Sequence, residues 1–172
     1  MTLTRLQSPE HPLAGEWWAL YESAFPASER RGAVQHAAAM QDAAFHCFHL
    51  ADAQGFAGLL SYWQWDTLCY VEHLAIAPGR RGQGIGHLVL QHVPAPSILE
   101  IEPVVDEPTA RRLRFYESCG FVRLSQPHVQ LAYQAGQPDV PLWLLSRPAV
   151  SAQMVAGFER LFHAGPMRYR EI

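Results

Sequence analysis

The segment from Tyr70 to Leu90 constrains this chain more than any other part of its sequence. A mostly apolar run ends at Pro78, a stretch reading Gly-Arg-Arg-Gly-Gln-Gly-Ile-Gly follows, and helical periodicity then begins. Where a strand breaks and the chain enters a helix through glycines, several backbone N–H groups remain unpaired and point to one place. Glycine also lets the backbone approach an anion without an intervening Cβ atom. The sequence therefore predicts a phosphate-binding turn between a strand and a helix.

Three kinds of phosphate-binding turn compete for this segment. A Walker loop requires a lysine, and all 13 basic residues of the chain are arginine. A dinucleotide fingerprint requires Gly-x-Gly-x-x-Gly, and His87 occupies the position of its third glycine. The third pattern is Arg/Gln-x-x-Gly-x-Gly/Ala, which Arg81, Gly84 and Gly86 satisfy.

This third pattern resembles the coenzyme A loop of the GNAT superfamily of N-acetyltransferases. A second block, Arg111–Phe121, resembles the helix and turn of that superfamily that end in Tyr-x-x-x-Gly-Phe, and Ala24–Arg30 resembles its first-helix region. One departure is Thr109, which stands where many members carry asparagine. The resemblance covers roughly residues 15–147 of a single predicted domain, 1–172, and residues 148–172 form a C-terminal extension that we expect to be helical.

Hydrophobic periodicity predicts an α/β fold with one mixed sheet, and the resemblance implies the GNAT-type acyl-CoA N-acyltransferase fold. In that fold, helices cover both faces of a mostly antiparallel, V-splayed sheet. The first forty residues read as helical, with an apolar stripe that Pro26 ends and a second helix from about Ser28 to Met40. The remaining predicted elements are strands at Phe45–Ala51, Phe56–Trp65, Leu68–Ala77, Ile98–Val105, Phe121–Leu124 and Val140–Ser146, and helices at Gly84–Val93, Glu107–Cys119 and Ala149–His163.

Composition limits the classes of partner. A net charge of −3 and a pI near 6.3 argue against a nucleic-acid-binding protein. No apolar run approaches the length of a membrane span. The three cysteines lack Cys-x-x-Cys spacing, and we expect a cytoplasmic protein with no metal. A homodimer is the default expectation for a small enzyme.

The resemblance implies which residues bind acetyl-coenzyme A. In the superfamily, the acyl carbonyl and the pantetheine arm pair with the backbone of the strand that precedes the loop. Carried over to this chain, those positions are Leu74, Ala75 and Ile76. The loop and the start of the helix would hold the pyrophosphate, through Arg81, Gly82, Gln83, Gly84, Ile85, Gly86 and His87.

Glu72 is the candidate general base. A carboxylate in a buried strand is costly unless it has a partner or a task, and burial by itself would raise its pKa and make it a better base. The alternative is that Glu72 pairs with an arginine or lies at a wet edge. His73 points to the opposite face of a regular strand, although a bulge would change that.

Tyr116 is the candidate general acid, because a nearby phenol can protonate or hydrogen-bond the leaving thiolate. The alternative is that its ring packs in the core or beneath the cofactor. Glu100 and Glu102 share one strand face, where they could either attract a cationic acceptor or form salt bridges.

The resemblance implies direct transfer of an acetyl group from acetyl-coenzyme A to a primary amine, carried by a small molecule or a peptide. A non-catalytic acyl-coenzyme A-binding or regulatory domain would keep the loop but need neither Glu72 nor Tyr116. A nucleotide-binding enzyme of another class is the third alternative, against which the missing lysine and the missing third glycine argue.

Overall fold

One open sheet of seven strands runs through the protein, whose computed structural model describes residues 1–171. The strands are β1 Thr2–Leu6, β2 Phe45–Asp52, β3 Gly55–Gln64, β4 Cys69–Ile76, β5 Ser97–Ile101, β6 Val122–Gln130 and β7 Val140–Arg147. Their order across the sheet is β1-β2-β3-β4-β5-β7-β6, and every neighbouring pair is antiparallel except β4 and β5. The predicted mixed, mostly antiparallel sheet is confirmed.

The parallel pair β4–β5 separates soon after it forms. Residues Cys69–Val71 pair with Ser97–Leu99, and no pairing continues although β4 extends to Ile76. Adjacent strands that diverge leave an edge of backbone groups without a strand partner. The sheet is therefore V-splayed, as the resemblance implied, and the splay opens at Glu72 and Glu100.

Five helices cover the two faces of the sheet. They are α1 Ala14–Ala24, α2 Ala33–Ala39, α3 Ile85–Leu90, α4 Glu107–Ser118 and α5 Ala152–Ala164. The apolar sides of α1, α2 and α5 pack in one core cluster, which contains Trp17, Ala39 and Phe158. On the other face, α3 and α4 contribute Val89 and Tyr116 to a second cluster. Burial of an apolar stripe on each helix is what holds the two layers to the sheet.

Several boundaries differ from the sequence prediction. The first forty residues are not purely helical, because Thr2–Leu6 forms an edge strand that pairs with β2. Strand β5 ends at Ile101 instead of Val105, just before Pro103, which cannot donate to a sheet hydrogen bond. Strand β6 continues to Gln130 despite Pro127, because it lies at the edge of the sheet and its pairing is irregular before that proline.

Helix α3 is shorter than predicted, ending at Leu90 instead of Val93. Helix α5 lies within the C-terminal extension and is followed by a 3-10 turn at Pro166–Tyr169. Among residues 1–171, no helix is both long enough and apolar enough to cross a membrane.

Candidate active site

A cleft of about 830 Å³ occupies the splay between β4 and β5. One end is lined by the Gly-rich turn and the first residues of α3, and the other by the connection between α1 and α2. Helix α4 contributes a side wall through Arg112, Phe115 and Tyr116. A deep groove beside an unpaired strand edge can accept an extended, hydrogen-bonding ligand as it would accept another strand.

The Gly-rich turn has the backbone conformation that an anion site requires. Gly82 and Gly84 have φ angles of 76° and 74°, in the left-handed region that favours glycine, and a Cβ atom built at either would meet no other atom within 4 Å. The turn is therefore open to a ligand. Arg80 is paired with Asp52 at 2.6 Å, whereas Arg81 uses only its Nε, which donates to the Ile76 carbonyl at 3.1 Å. The remaining guanidinium nitrogens of Arg81 are free of other described residues and suit a pyrophosphate.

Gly86 has a different function from that of the turn glycines. A Cβ atom at this position would lie 2.8 Å from the ring of Phe115. Only glycine therefore allows α3 to approach α4 this closely, and the two helices together form the wall around the phosphate end of the cleft.

Most of the predicted cofactor-binding residues line this one cleft. They are Leu74, Ala75, Ile76, Arg81, Gly82, Gly84, Ile85, Gly86 and His87. Gln83 is not brought to the cleft. Its side chain bonds within the turn, accepting from Arg80 Nε at 3.3 Å and donating to the Gly79 carbonyl at 3.4 Å.

A β-bulge sets the orientation of Glu72. Ser61 of β3 pairs with His73 and Tyr62 pairs with Val71, so that Glu72 has no partner in β3. The bulge brings the side chains of Glu72 and His73 to the same face, with His73 Nδ1 3.6 Å from the Glu72 carboxylate. The Glu72 side chain is only 1% exposed, although the residue as a whole is partly accessible. Its main chain, not its carboxylate, is therefore the part that faces the cleft.

The Glu72 carboxylate is fully engaged by other side chains. Arg31 donates to it twice, at 2.8 and 2.7 Å, and the Tyr133 hydroxyl donates at 2.5 Å. Burial opposes the charged form, but the charge and hydrogen bonds of Arg31 outweigh it and lower the pKa of Glu72 to about 2. The pKa of Glu72 therefore shifts in the direction opposite to the rise expected from burial alone. The expectation differed because the sequence does not reveal that Arg31 folds against this strand.

Tyr116 lies in the wall of the cleft at the end of α4 and is 9% exposed. Burial raises the pKa of its phenol to about 12, so that the group remains protonated at neutral pH. No described residue forms a hydrogen bond with its hydroxyl. Thr109, at the other end of α4, forms a reciprocal capping box with Asp106 and so fixes where the helix begins.

Sequence reasoning missed three polar residues around the cleft. Arg31 is entirely buried, and nothing distinguishes it in sequence from its partly exposed neighbour Arg30. Glu29 lines the end of the cleft formed by the α1–α2 connection. His128, predicted as part of a loop, lies on β6 and contacts Glu100 and Glu159. Glu29 lines the cleft itself, whereas Arg31 and His128 contact Glu72 and Glu100 from segments distant in sequence.

Metal ligation has no candidate among the described residues. Within residues 1–171, no three histidine, cysteine, aspartate or glutamate side chains are grouped so that they could hold a metal ion.

Residues 43–123 match the family model described as "Acetyltransferase (GNAT) domain". Over 106 residues, 59% of its length, the chain is 27% identical to the Bacillus subtilis (strain 168) protein named "Putative acetyltransferase YjbC". The match spans 54% of the length of that relative.

Two solved structures have the same fold. A protein described as "Putative acetyltransferase from GNAT family from Bacteroides thetaiotaomicron" is 25% identical and superposes with a TM-score of 0.86, over 95% of this chain and 97% of that one. A GNAT family acetyltransferase from Elizabethkingia anophelis with acetyl-CoA bound is 13% identical, with a TM-score of 0.55 over 86% of this chain and 97% of that one. At 13% identity, the similarity to the Elizabethkingia anophelis structure concerns the fold alone.

Proposed function

Because the chain belongs to the GNAT superfamily of acetyltransferases, we propose that it transfers an acetyl group from acetyl-coenzyme A to a primary amine. The observation that carries this proposal is the open Gly-rich turn at one end of a cleft whose other end is polar. The turn is open around Gly82 and Gly84, and no residue within 1–171 engages the outer guanidinium nitrogens of Arg81, which suit a pyrophosphate. Residues Leu74 to Ile76 would then pair with the pantetheine arm along the free edge of β4.

Tyr116 is the proposed acid. Its phenol lines the cleft, has no competing hydrogen-bond partner among the described residues, and carries a proton at neutral pH. A donor of this kind stabilises a thiolate as the thioester bond breaks. Thr109 helps to position Tyr116 indirectly, since the capping box sets the start of the helix that carries this tyrosine.

Glu72 remains the base predicted from the sequence, but its surroundings favour a positioning role. A carboxylate that is held by Arg31 and has a pKa near 2 is a weak proton acceptor. Its ion pair instead anchors the bulge of β4, and the bulge orients the main chain that faces the cleft. Replacing Glu72 with glutamine distinguishes the two roles. Loss of a base removes a limb of the pH–rate profile, whereas a positioning role lowers the rate at every pH.

Measuring thiol release from acetyl-coenzyme A with a panel of primary amines tests the reaction. We expect release that depends on the amine, and we expect Arg81→Ala to weaken acetyl-coenzyme A binding several-fold more than Arg160→Ala, a change on the distant helix α5. Tight binding of acetyl-coenzyme A without release on any amine would instead support the non-catalytic binding domain. Absence of acetyl-coenzyme A binding would overturn both functions.

A further inference from the structure

Four acidic residues line the cleft, and two of them are neutralised by arginines. Glu72 is paired with Arg31, and Glu102 forms a salt bridge with Arg112. The other two, Glu29 and Glu100, have no arginine partner among the described residues. Glu100 contacts His128 instead, whereas Glu29 has no countercharge among the described residues. A carboxylate that has left water without a countercharge is costly, and a cationic ligand would relieve that cost.

The Glu100 carboxylate is held in a fixed orientation. It accepts hydrogen bonds from the Tyr70 hydroxyl and from His128, and its side chain is 5% exposed. The other nitrogen of His128 contacts Glu159 at 2.8 Å. One imidazolium shared between two carboxylates leaves the group with a net negative charge.

The Glu29 carboxylate has neither a hydrogen bond nor an ion pair from residues 1–171, although it lies in the wall of the cleft. Burial raises its pKa, and the nearby charge of Glu100 raises it further. Two carboxylates thus influence each other at one end of the cleft, and the arginine whose charge acts on Glu29, Arg112, is engaged with Glu102.

A third oxygen at this end belongs to the Gln130 side chain. Its amide nitrogen donates to the Ser28 carbonyl at 3.3 Å, which fixes the orientation of the amide and leaves Oε1 as the unused atom. Gln130 is 4% exposed and lines the cleft, no described residue donates to Oε1, and that atom is not among those sealed from solvent. The oxygen therefore remains available as a hydrogen-bond acceptor.

Chain connections place these three groups beside one another. Gln130 follows His128 by two residues on β6, so both side chains lie on the face of the strand that meets Glu100. Ser28, to which Gln130 is bonded, immediately precedes Glu29. Gln130 is thus bonded to the residue that precedes Glu29, and its neighbour on the same strand face, His128, contacts Glu100.

We propose that Glu29, Glu100 and Gln130 bind a primary alkylammonium group of the acceptor. Three oxygen acceptors match the three N–H donors of a protonated primary amine. Phe25, Pro26 and Leu142 line the same end of the cleft and provide apolar contacts for an aliphatic chain. The inference rests on the proposed acetyl transfer for its physiological meaning, but it predicts binding that can be measured without turnover.

The test is calorimetric titration of three ligands of equal chain length into the protein saturated with coenzyme A. They are a linear primary alkylamine, the corresponding alkyltrimethylammonium ion and the corresponding alcohol. We expect the primary amine to bind best and the alcohol to bind least, because only the first has both charge and N–H donors. Glu29→Gln should weaken amine binding about tenfold to a hundredfold, and Gln130→Leu should narrow the difference between the primary amine and the trimethylammonium ion.

Glu22→Gln is the matched control, since Glu22 is exposed on α1, outside the cleft, and makes only a 3.9 Å contact with Arg30. Glu29→Gln should fold normally, because the carboxylate it replaces has no partner among the described residues. Equal binding of amine and alcohol, or an amine affinity unchanged in Glu29→Gln, would overturn the proposal. The thiol-release assay judges acetyl transfer separately, so failure of the reaction and failure of the ammonium site give different results.

Discussion

Arg31 and Glu72 form a buried ion pair with two hydrogen bonds, at 2.8 and 2.7 Å, and their side chains are 0% and 1% exposed. The pair joins the connection between α1 and α2 to the bulge of β4. Arg31 also donates to the Pro166 carbonyl at 3.0 Å. One buried guanidinium therefore links the wall of the cleft, the central strand and the C-terminal extension.

Replacing Arg31 with methionine should lower the free energy of unfolding by about 3–5 kcal/mol, because Glu72 would remain buried without its countercharge. Urea denaturation measures this change. Arg30→Met is the control: its partner Glu22 lies 3.9 Å away and is half exposed, so the expected loss is within about 1 kcal/mol. Equal losses in the two variants would contradict a stabilising role for the buried pair.

Acid should weaken the fold through Glu72. Its pKa is lowered from 4.5 to about 2 in the folded state, so its contribution is present above about pH 5 and disappears as the pH falls towards 2. Urea midpoints measured across this range for the wild type and Glu72→Gln should differ most at neutral pH and converge in acid. A difference that did not change with pH would show that Glu72 is not held as a carboxylate.

Alkali should weaken the fold through His128. Burial opposes its charge, but the hydrogen bonds of Glu100 and Glu159 raise its pKa from 6.5 to about 9. The contribution, at most about 3 kcal/mol, is present below pH 6.5 and is lost as the pH rises through 9. Thermal unfolding of the wild type and His128→Gln should give melting temperatures that converge above pH 9. Melting temperatures that stayed apart would indicate that His128 is neutral.

Tyr116→Phe should lower kcat by about a hundredfold and leave the affinity for acetyl-coenzyme A nearly unchanged, because only the hydroxyl is removed. Steady-state thiol release and equilibrium binding measure the two quantities. Tyr62→Phe is a matched control, since Tyr62 belongs to the same core cluster but does not line the cleft. An unchanged kcat would refute the acid role of Tyr116.

Gly86→Ala should destabilise the protein by about 1–3 kcal/mol and weaken acetyl-coenzyme A binding, because the new Cβ atom would press Phe115 away from α3. Gly15→Ala should instead stabilise the protein. Gly15 lies in α1 with no atom within 4 Å of the added methyl group, and alanine favours the helix by up to about 1 kcal/mol. Thermal unfolding of both variants tests whether the contact, and not the loss of glycine itself, sets the cost.

Local signals explain why much of the fold was predictable. Alternating and helical periodicities located the strands from Phe45 to Ile76 and helix α4, and Asp106 and Gly120 marked the limits of that helix. Edge strands were less predictable. Thr2–Leu6 is recognisable only through its pairing with β2, and β6 passes through Pro127, which read as part of a loop.

The features of the candidate site were also predictable only in part. The Gly-rich turn was visible in the sequence because its chemistry resides in consecutive backbone groups, and Tyr116 was visible because it belongs to a local motif. The charge state of Glu72 was not visible in the sequence, since it depends on Arg31, which is 41 residues away along the chain. The orientation of the Gln130 amide also depends on a partner distant in sequence, Ser28.

The sequence by itself determined most of the elements, the phosphate-binding turn and the resemblance to a family, because backbone conformation and periodicity are local properties. Only the tertiary structure decided which carboxylates are neutralised and which remain available to a ligand. Pairing and desolvation are set by side chains that meet across β4, β5 and the α1–α2 connection, and electrostatic energy depends on those distances in space.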